Sequence, residues 1–244
     1  MAWQGGAVII LLALSAICSK LIKSRPRDLI FTIGALLTAL LGIVHSGQIC
    51  QAFANQPMLA VLGLWCFFTA ALELRLFPID LAATLPWKAY ALLLLLAGAL
   101  AVISLGSSIG TSFFCAGLAL LLFRPFPIHQ TFRQKFPLPL LLEIFSAYLF
   151  YFALHNTGID AWMGSFFQDF PFWAFLLASF LAAQAFAFAM PRPVAFAVIF
   201  STARVLLAGP LLFIAGATVA LSLIFFDRFA IRSCFFSRTE KQFL

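Results

Sequence analysis

The basic residues of this chain are distributed in a way that is typical of membrane proteins. Fourteen of its fifteen lysines and arginines lie between or beside long apolar runs, and all fourteen can be placed on one side of a membrane. Short loops rich in Lys and Arg orient a chain across the bilayer, because such loops stay on the cytoplasmic side. The exception is Arg204, which lies inside the apolar stretch from Val194 to Phe226.

Composition supports the same interpretation. The 244 residues are 64% hydrophobic and only 9% charged, whereas a soluble domain carries about a quarter charged residues. The apolar runs are about 17–25 residues long without sustained alternation, which predicts membrane helices and argues against a barrel. We therefore expect an all-α, polytopic transmembrane helical bundle that forms one integral membrane domain over residues 1–244, with no soluble domain.

About nine membrane passes are predicted, within a range of seven to nine, with the N-terminus outside and the C-terminus inside. A single span over Val194–Phe226 would leave the basic tail outside, against the orientation rule, so we divide this stretch into two short or re-entrant helices at Gly209-Pro210. The other predicted helices are Trp3–Ser19, Leu29–His45, Pro57–Leu72, Trp87–Leu105, Thr111–Phe123, Leu138–His155 and Phe172–Met190.

The links between these helices carry the topology signal. The segment Lys20–Asp28 holds four basic residues and is the strongest inside marker, while Ser46–Gln56 is uncharged and is predicted outside. The segment Asn156–Pro171 has two acidic residues and many aromatics, which predicts an outer segment with a short helix lying flat in the interface. Small residues at four-residue spacing, such as Gly34/Thr38/Gly42 and Ala174/Ala178/Ala182, predict close contacts between helices.

The net charge of +7 is scattered among membrane loops, so we expect no nucleic-acid partner. The expected partners are the lipid bilayer, with anionic headgroups at the basic side, and a protein partner within a membrane complex is an open alternative. The predicted location is the bacterial cytoplasmic (inner) membrane. The five cysteines show no paired spacing, which argues against a disulfide framework or a thiolate metal site.

Arg204 and Glu143 are the main candidates for a substrate or ion-pair site. If a helix begins near Arg192, then Arg204 lies about 18 Å along it, past the middle of the bilayer. It would contact an anion, pair within the bundle or sit at the outer interface of a re-entrant hairpin. Glu143 could serve as a relay or as the partner of Arg204, although the predicted topology places Glu143 nearer the inside.

Three further polar residues fall in or beside the predicted helices. Gln184 is a third site candidate, and an interhelical hydrogen bond is the simpler interpretation. His45 and His155 both fall near outer helix ends, where they are weak candidates for a metal or haem site. The sequence assigns no catalytic residue and no cofactor.

Three classes of function remain open, because the G-x-S-x-G, H-E-x-x-H and Walker motifs are missing. The first is a transporter, or a membrane subunit of a transport system, that handles a lipidic or weakly polar substrate. The second is a structural, assembly or sensor-type subunit of a larger complex. The third is a lipid-modifying enzyme that uses Glu143 and a histidine as acid and base, although these residues are too dispersed along the chain to favour an enzyme.

Overall fold

The computed structural model describes residues 2–22, 26–73, 95–100, 102–103, 106, 108–122 and 136–223. Every regular element in these ranges is an α-helix, which confirms the all-α class. The helices are α1 (Ala2–Leu21), α2 (Arg27–Leu40), α3 (Ser46–Phe53), α4 (Gln56–Glu73), α5 (Ile109–Leu122), α6 (Leu138–Thr157), α7 (Ile159–Ser165), α8 (Phe172–Ala189), α9 (Arg192–Leu206) and α10 (Pro210–Leu223). Residues 95–100 are also helical.

Four helical segments are long and apolar enough to cross a membrane, as a polytopic membrane protein requires. They are Trp3–Leu21, Ser46–Phe67, Leu138–Thr157 and Phe172–Ala189. Pro210–Leu223 is a shorter apolar helix. Most of the predicted helix Trp87–Leu105, the charged links around it and the basic tail lie outside the described residues.

The predicted link Ser46–Gln56 is the clearest difference from the sequence-based expectation, because it is mostly helical and forms α3. The preceding helix α2 ends at Leu40 instead of His45, since Gly42 takes a left-handed conformation with φ of 72°. The amide of Ile43 then donates to the Thr38 carbonyl at 3.0 Å, and Gly42 donates to Ala39 at 2.9 Å. This pair of bonds is the Schellman arrangement that ends many helices.

The contacts divide the chain into two compact units. Unit 1 comprises residues 1–49 and 142–244, and unit 2 comprises residues 50–141. The single membrane domain expected from the sequence stays a prediction.

Helix α6 is the most buried of the membrane-length helices in unit 1. Half of its membrane-length window is buried, compared with 17% for α1 and 22% for α8. Phe150 of α6 is fully buried and meets Phe31 of α2 edge-on, with ring centroids 6.5 Å apart. The outer helices instead expose large apolar side chains, as lipid-facing helices do.

Hydrogen bonds place the helix termini of unit 1 at two ends of the bundle. The Thr32 hydroxyl donates to the Leu142 carbonyl at 3.3 Å, which joins the starts of α2 and α6. The Ser19 hydroxyl lies 3.4 Å from the Ala189 carbonyl, which joins the ends of α1 and α8. We call this the basic end, because Lys20, Arg27 and Arg192 belong to it, and we call the other the opposite end.

Unit 2 is built around a close contact between α4 and α5. Gly63 faces the backbone of Phe113, and Gly117 in turn faces Gly63, so a side chain at either position would meet the neighbouring helix. Trp65 meets Phe136 edge-on, with ring centroids 5.3 Å apart. Small residues that let two backbones approach are typical of helix contacts in membranes.

Candidate functional site

Helix α6 carries two aromatic side chains toward the opposite end of unit 1. Tyr151 and His155 are one helical turn apart, and their rings are parallel within 6°, with centroids separated by 6.4 Å. The helix is rigidly packed through Leu149, Phe150 and Ala153, which are all fully buried. The last two turns of α6 therefore hold the two rings at a fixed position on the surface of unit 1.

A buried carboxylate orients His155. Its Nδ1 lies 2.9 Å from Oδ2 of Asp160, whose side chain is 4% exposed, while the imidazole is 60% exposed. The other carboxylate oxygen accepts a bond of 2.8 Å from the Ala161 amide. The chain reverses between the two residues at Gly158, which has a φ of 71°. Because Asp160 occupies Nδ1, the Nε2 atom of His155 is the nitrogen left for a ligand.

Arg204 reaches the same surface from the last turn of α9. Its Nη1 atom donates to the Tyr151 hydroxyl, and its Cζ atom lies 5.8 Å from the centroid of that ring. The side chain is exposed, and a helix C-terminus favours a cation. Arg204, Tyr151, His155 and Asp160 thus form one connected group, which we call the Arg204 cluster.

Two side-chain amides, from Gln48 and Asn156, form a hydrogen-bonded pair at the same end of unit 1. Nε2 of Gln48 donates to Oδ1 of Asn156 at 3.1 Å, and Nδ2 of Asn156 donates to Oε1 of Gln48 at 2.8 Å. Nδ2 of Asn156 also donates to the Ile43 carbonyl at 2.8 Å. These bonds join α6 to α3 and to the turn that precedes it, next to His155 in the chain.

The break between α9 and α10 adjoins the Arg204 cluster. Leu207 is extended, Gly209 has a φ of 58°, and Pro210 begins the next helix, where the sequence predicts an interruption. The two helices line an open apolar groove of about 480 Å³. Its lining residues are Phe196, Phe200, Gly209, Leu212, Phe213, Gly216, Ala217 and Ala220.

Small residues keep this groove open on the α10 side. A side-chain carbon on Gly216 would lie 3.2 Å from the Phe200 ring, so a larger residue there would fill the space between the helices. Phe196 and Phe200 stack on the α9 side, with centroids 5.3 Å apart. Arg204 follows Phe200 by one turn of the same helix, about 6 Å along the axis, toward the end of the groove where Gly209 lies.

Glu143 lies at the basic end, away from Arg204. It is eight residues before Tyr151 on α6, or about 12 Å along the helix axis. Asp28 and Arg192 are the charged groups close enough to influence it electrostatically. The partner of Arg204 is therefore Tyr151 and not Glu143, so the structure does not bring the two predicted site residues together.

Gln184 makes the interhelical hydrogen bond that the sequence suggests. Its Nε2 atom donates to the carbonyl of Ser222 at 2.6 Å and lies 2.9 Å from the Ser222 hydroxyl. That hydroxyl donates to the Phe180 carbonyl at 2.9 Å. Gln184 thus joins α8 to α10 and lies outside the Arg204 cluster.

The histidines differ in their surroundings. His155 belongs to the Arg204 cluster, whereas the backbone amide of His45 donates to Oε1 of Gln48 at 3.1 Å. Within the described ranges, no three His, Cys, Asp or Glu side chains are grouped so that they could hold a metal ion. The sequence alone did not identify Asp160, Asn156 or Tyr151 as members of this site. One signal for Asp160 was present, because an acidic residue follows His155 by five positions with a glycine between them.

The group of side chains suits binding better than bond-breaking chemistry. A guanidinium offers paired donors to an anion, and an oriented imidazole offers a second polar contact. No described Ser, Thr or Cys side chain donates to His155, so the part of the chain that the structure covers holds no activated nucleophile there.

No model of a known protein family, no curated protein sequence and no solved structure matches this chain.

Proposed function

We propose that this protein is a transporter, or the membrane subunit of a transport system, that handles a lipidic or weakly polar substrate. The observation that carries the proposal is the interrupted pair α9–α10, with an apolar groove on one side of the break and Arg204 beside it. Interrupted membrane helices often line substrate sites, because the break exposes polar groups at membrane depth.

The lining of the groove supports a lipidic substrate over an ion. Its side chains are apolar and it is open, so it suits an acyl chain that enters from the bilayer. A hydrophilic path would require several polar groups, whereas Gln184 and Ser222, which lie between α8 and α10, bond to each other.

Lipid movement in liposomes tests this proposal. The purified full chain is reconstituted with a fluorescent phospholipid, and dithionite then reports how fast the inner-leaflet label reaches the outside. We expect the protein to accelerate this exchange, and we expect Ala217→Phe to slow it several-fold, since Ala217 is exposed and lines the groove. Ala185→Phe is the matched control, because Ala185 is an exposed residue on α8 outside the groove.

Wild-type protein that leaves exchange at the rate of empty liposomes would overturn the transport proposal. A stoichiometric partner that co-purifies in mild detergent, together with that result, would favour the structural or assembly subunit instead. Equal rates for Ala217→Phe and wild type would remove the groove from the path.

We also propose nine passes with the N-terminus outside, the C-terminus inside and the protein in the cytoplasmic membrane of a bacterium. The shared placement of Lys20, Arg27 and Arg192 at the basic end of unit 1 supports this orientation, with anionic headgroups beside them. Single-cysteine variants test it with an impermeant maleimide. Cys50 should react in intact cells, and labelling of Cys234 from outside would exclude the nine-pass topology.

A further inference from the structure

The positive charge of Arg204 has no anionic partner in the described part of the chain. Its hydrogen bond goes to the neutral hydroxyl of Tyr151, and no described carboxylate lies within ion-pair distance. An exposed guanidinium on an apolar helix is costly unless an anion, water or interface stabilises it. Arg204 is therefore equipped to bind a planar or tetrahedral oxyanion through its remaining donors.

His155 adds a second polar group on the same surface. Tyr151 lies between the two, since its hydroxyl meets Arg204 and its ring is parallel to the imidazole. Asp160 is 3% exposed and bonds both His155 and the Ala161 amide, so it orients the imidazole while its own charge faces inward. The surface that this cluster presents is consequently the guanidinium and Nε2 of His155.

The groove supplies the apolar half of a binding site. Phe200 and Phe196 precede Arg204 on α9 by four and eight residues, or about 6 and 12 Å along the axis. A chain that lies against these rings would thus bring its upper end to the guanidinium. An apolar groove that ends at an unpaired cation matches a molecule with a tail and an anionic head.

We infer that the Arg204 cluster and the α9–α10 groove bind an amphiphile with an anionic headgroup, whose acyl chain lies along Phe196 and Phe200. Arg204 holds the phosphate or carboxylate, and Nε2 of His155 adds a second polar contact to the headgroup. The inference rests on the proposed function for the choice of groove, and it adds the chemical class of the headgroup.

Energy transfer from tryptophan to pyrene-labelled lipids tests the inference on the purified full chain in neutral detergent. The probes are phosphatidylglycerol, which carries a phosphate, and diacylglycerol with the same chains, which carries none. We expect phosphatidylglycerol to bind tighter, and Arg204→Gln to weaken it roughly five- to tenfold while leaving diacylglycerol unchanged. Arg27→Gln removes an exposed charge at the basic end, where headgroups contact the protein through total charge, and is expected to weaken phosphatidylglycerol binding much less than Arg204→Gln.

A second variant separates the two polar groups of the site. His155→Gln should weaken phosphatidylglycerol binding less than Arg204→Gln does, because it removes a polar contact and leaves the guanidinium in place. Inorganic phosphate at millimolar concentration should fail to displace the lipid, because the tail contributes to binding.

Three results would overturn the inference: equal affinity for the two lipids, unchanged phosphatidylglycerol binding in Arg204→Gln, or displacement of the lipid by inorganic phosphate. Lipid exchange without any headgroup preference would remove this inference and leave the transport proposal standing. If the protein binds lipids with headgroup selectivity but accelerates no exchange, the transport proposal falls and this inference stands.

Discussion

The two ends of unit 1 use polar residues in different ways. At the basic end, Lys20, Arg27 and Arg192 lie at helix termini and Glu143 lies near Asp28 and Arg192, so charge sets the character of the surface. At the opposite end, the polar side chains are engaged in specific bonds, namely His155 with Asp160 and Gln48 with Asn156. Arg204 differs from both, because it is a cation with a neutral partner.

This difference separates orientation from recognition. A cluster of basic residues orients a membrane protein through its total charge, so no single member has to be held in place. The opposite end fixes individual atoms through short bonds and a buried carboxylate, and loss of one partner leaves the other unsatisfied. We therefore expect substitutions at the opposite end to cost more stability than substitutions at the basic end.

Asp160→Ala should have the largest effect. It removes the buried acceptor of His155 and of the Ala161 amide, and the expected loss in free energy of unfolding is about 1–3 kcal/mol. Denaturant titration of the purified protein in mild detergent measures this loss. Asp169→Ala removes an exposed carboxylate next to α8 and should stay within about 0.5 kcal/mol of wild type. Equal losses in the two variants would contradict the structural role of Asp160.

Gly158→Ala should have the second-largest effect on stability, because Gly158 has a φ of 71° and joins α6 to α7. A left-handed conformation costs an L-residue about 1–2 kcal/mol, so we expect a loss of about that size. Gly47→Ala is the matched control, since Gly47 is helical and nothing lies near its added carbon. It should be neutral or slightly stabilising, and a comparable loss in both variants would show that the turn is not under this constraint.

The amide pair should contribute less. A double-mutant cycle with Gln48→Ala and Asn156→Ala should give a coupling energy of about 0.6 kcal/mol, the usual size for a polar pair between membrane helices. Asn156→Ala alone should cost more than Gln48→Ala, because Asn156 also donates to the Ile43 carbonyl. A coupling energy of zero would mean that the two amides act independently.

Helix identity and the main breaks were readable from the sequence, since they depend on local signals. Apolar length predicted α4, α6 and α8 to within one or two residues, and Gly209-Pro210 predicted the break before α10. The end of α2 was missed because Gly42 looked like part of a small-residue stripe, whereas its backbone conformation ends the helix.

The buried faces and the partners were not readable, for a physical reason. Helix α8 is apolar on every side, so no pattern marks its buried row, which is Phe175, Ser179, Ala183 and Ala187 and not the Ala174/Ala178/Ala182 stripe. The contacts of Arg204 and His155 depend on where α7 and α9 lie, and residue spacing carries no such information.

Glu143→Gln gives the smallest expected effect and the sharpest test of the basic end. Loss of its charge removes the cost of partly burying a carboxylate, the repulsion from Asp28 and the attraction to Arg192 together, and the last of these opposes the other two. The expected change in free energy of unfolding is within about 0.5 kcal/mol. Lipid exchange in liposomes should be unchanged as well, because the groove lies on α9 and α10. A large loss of exchange with normal folding would assign Glu143 to the transport path and would make the basic end a second functional site.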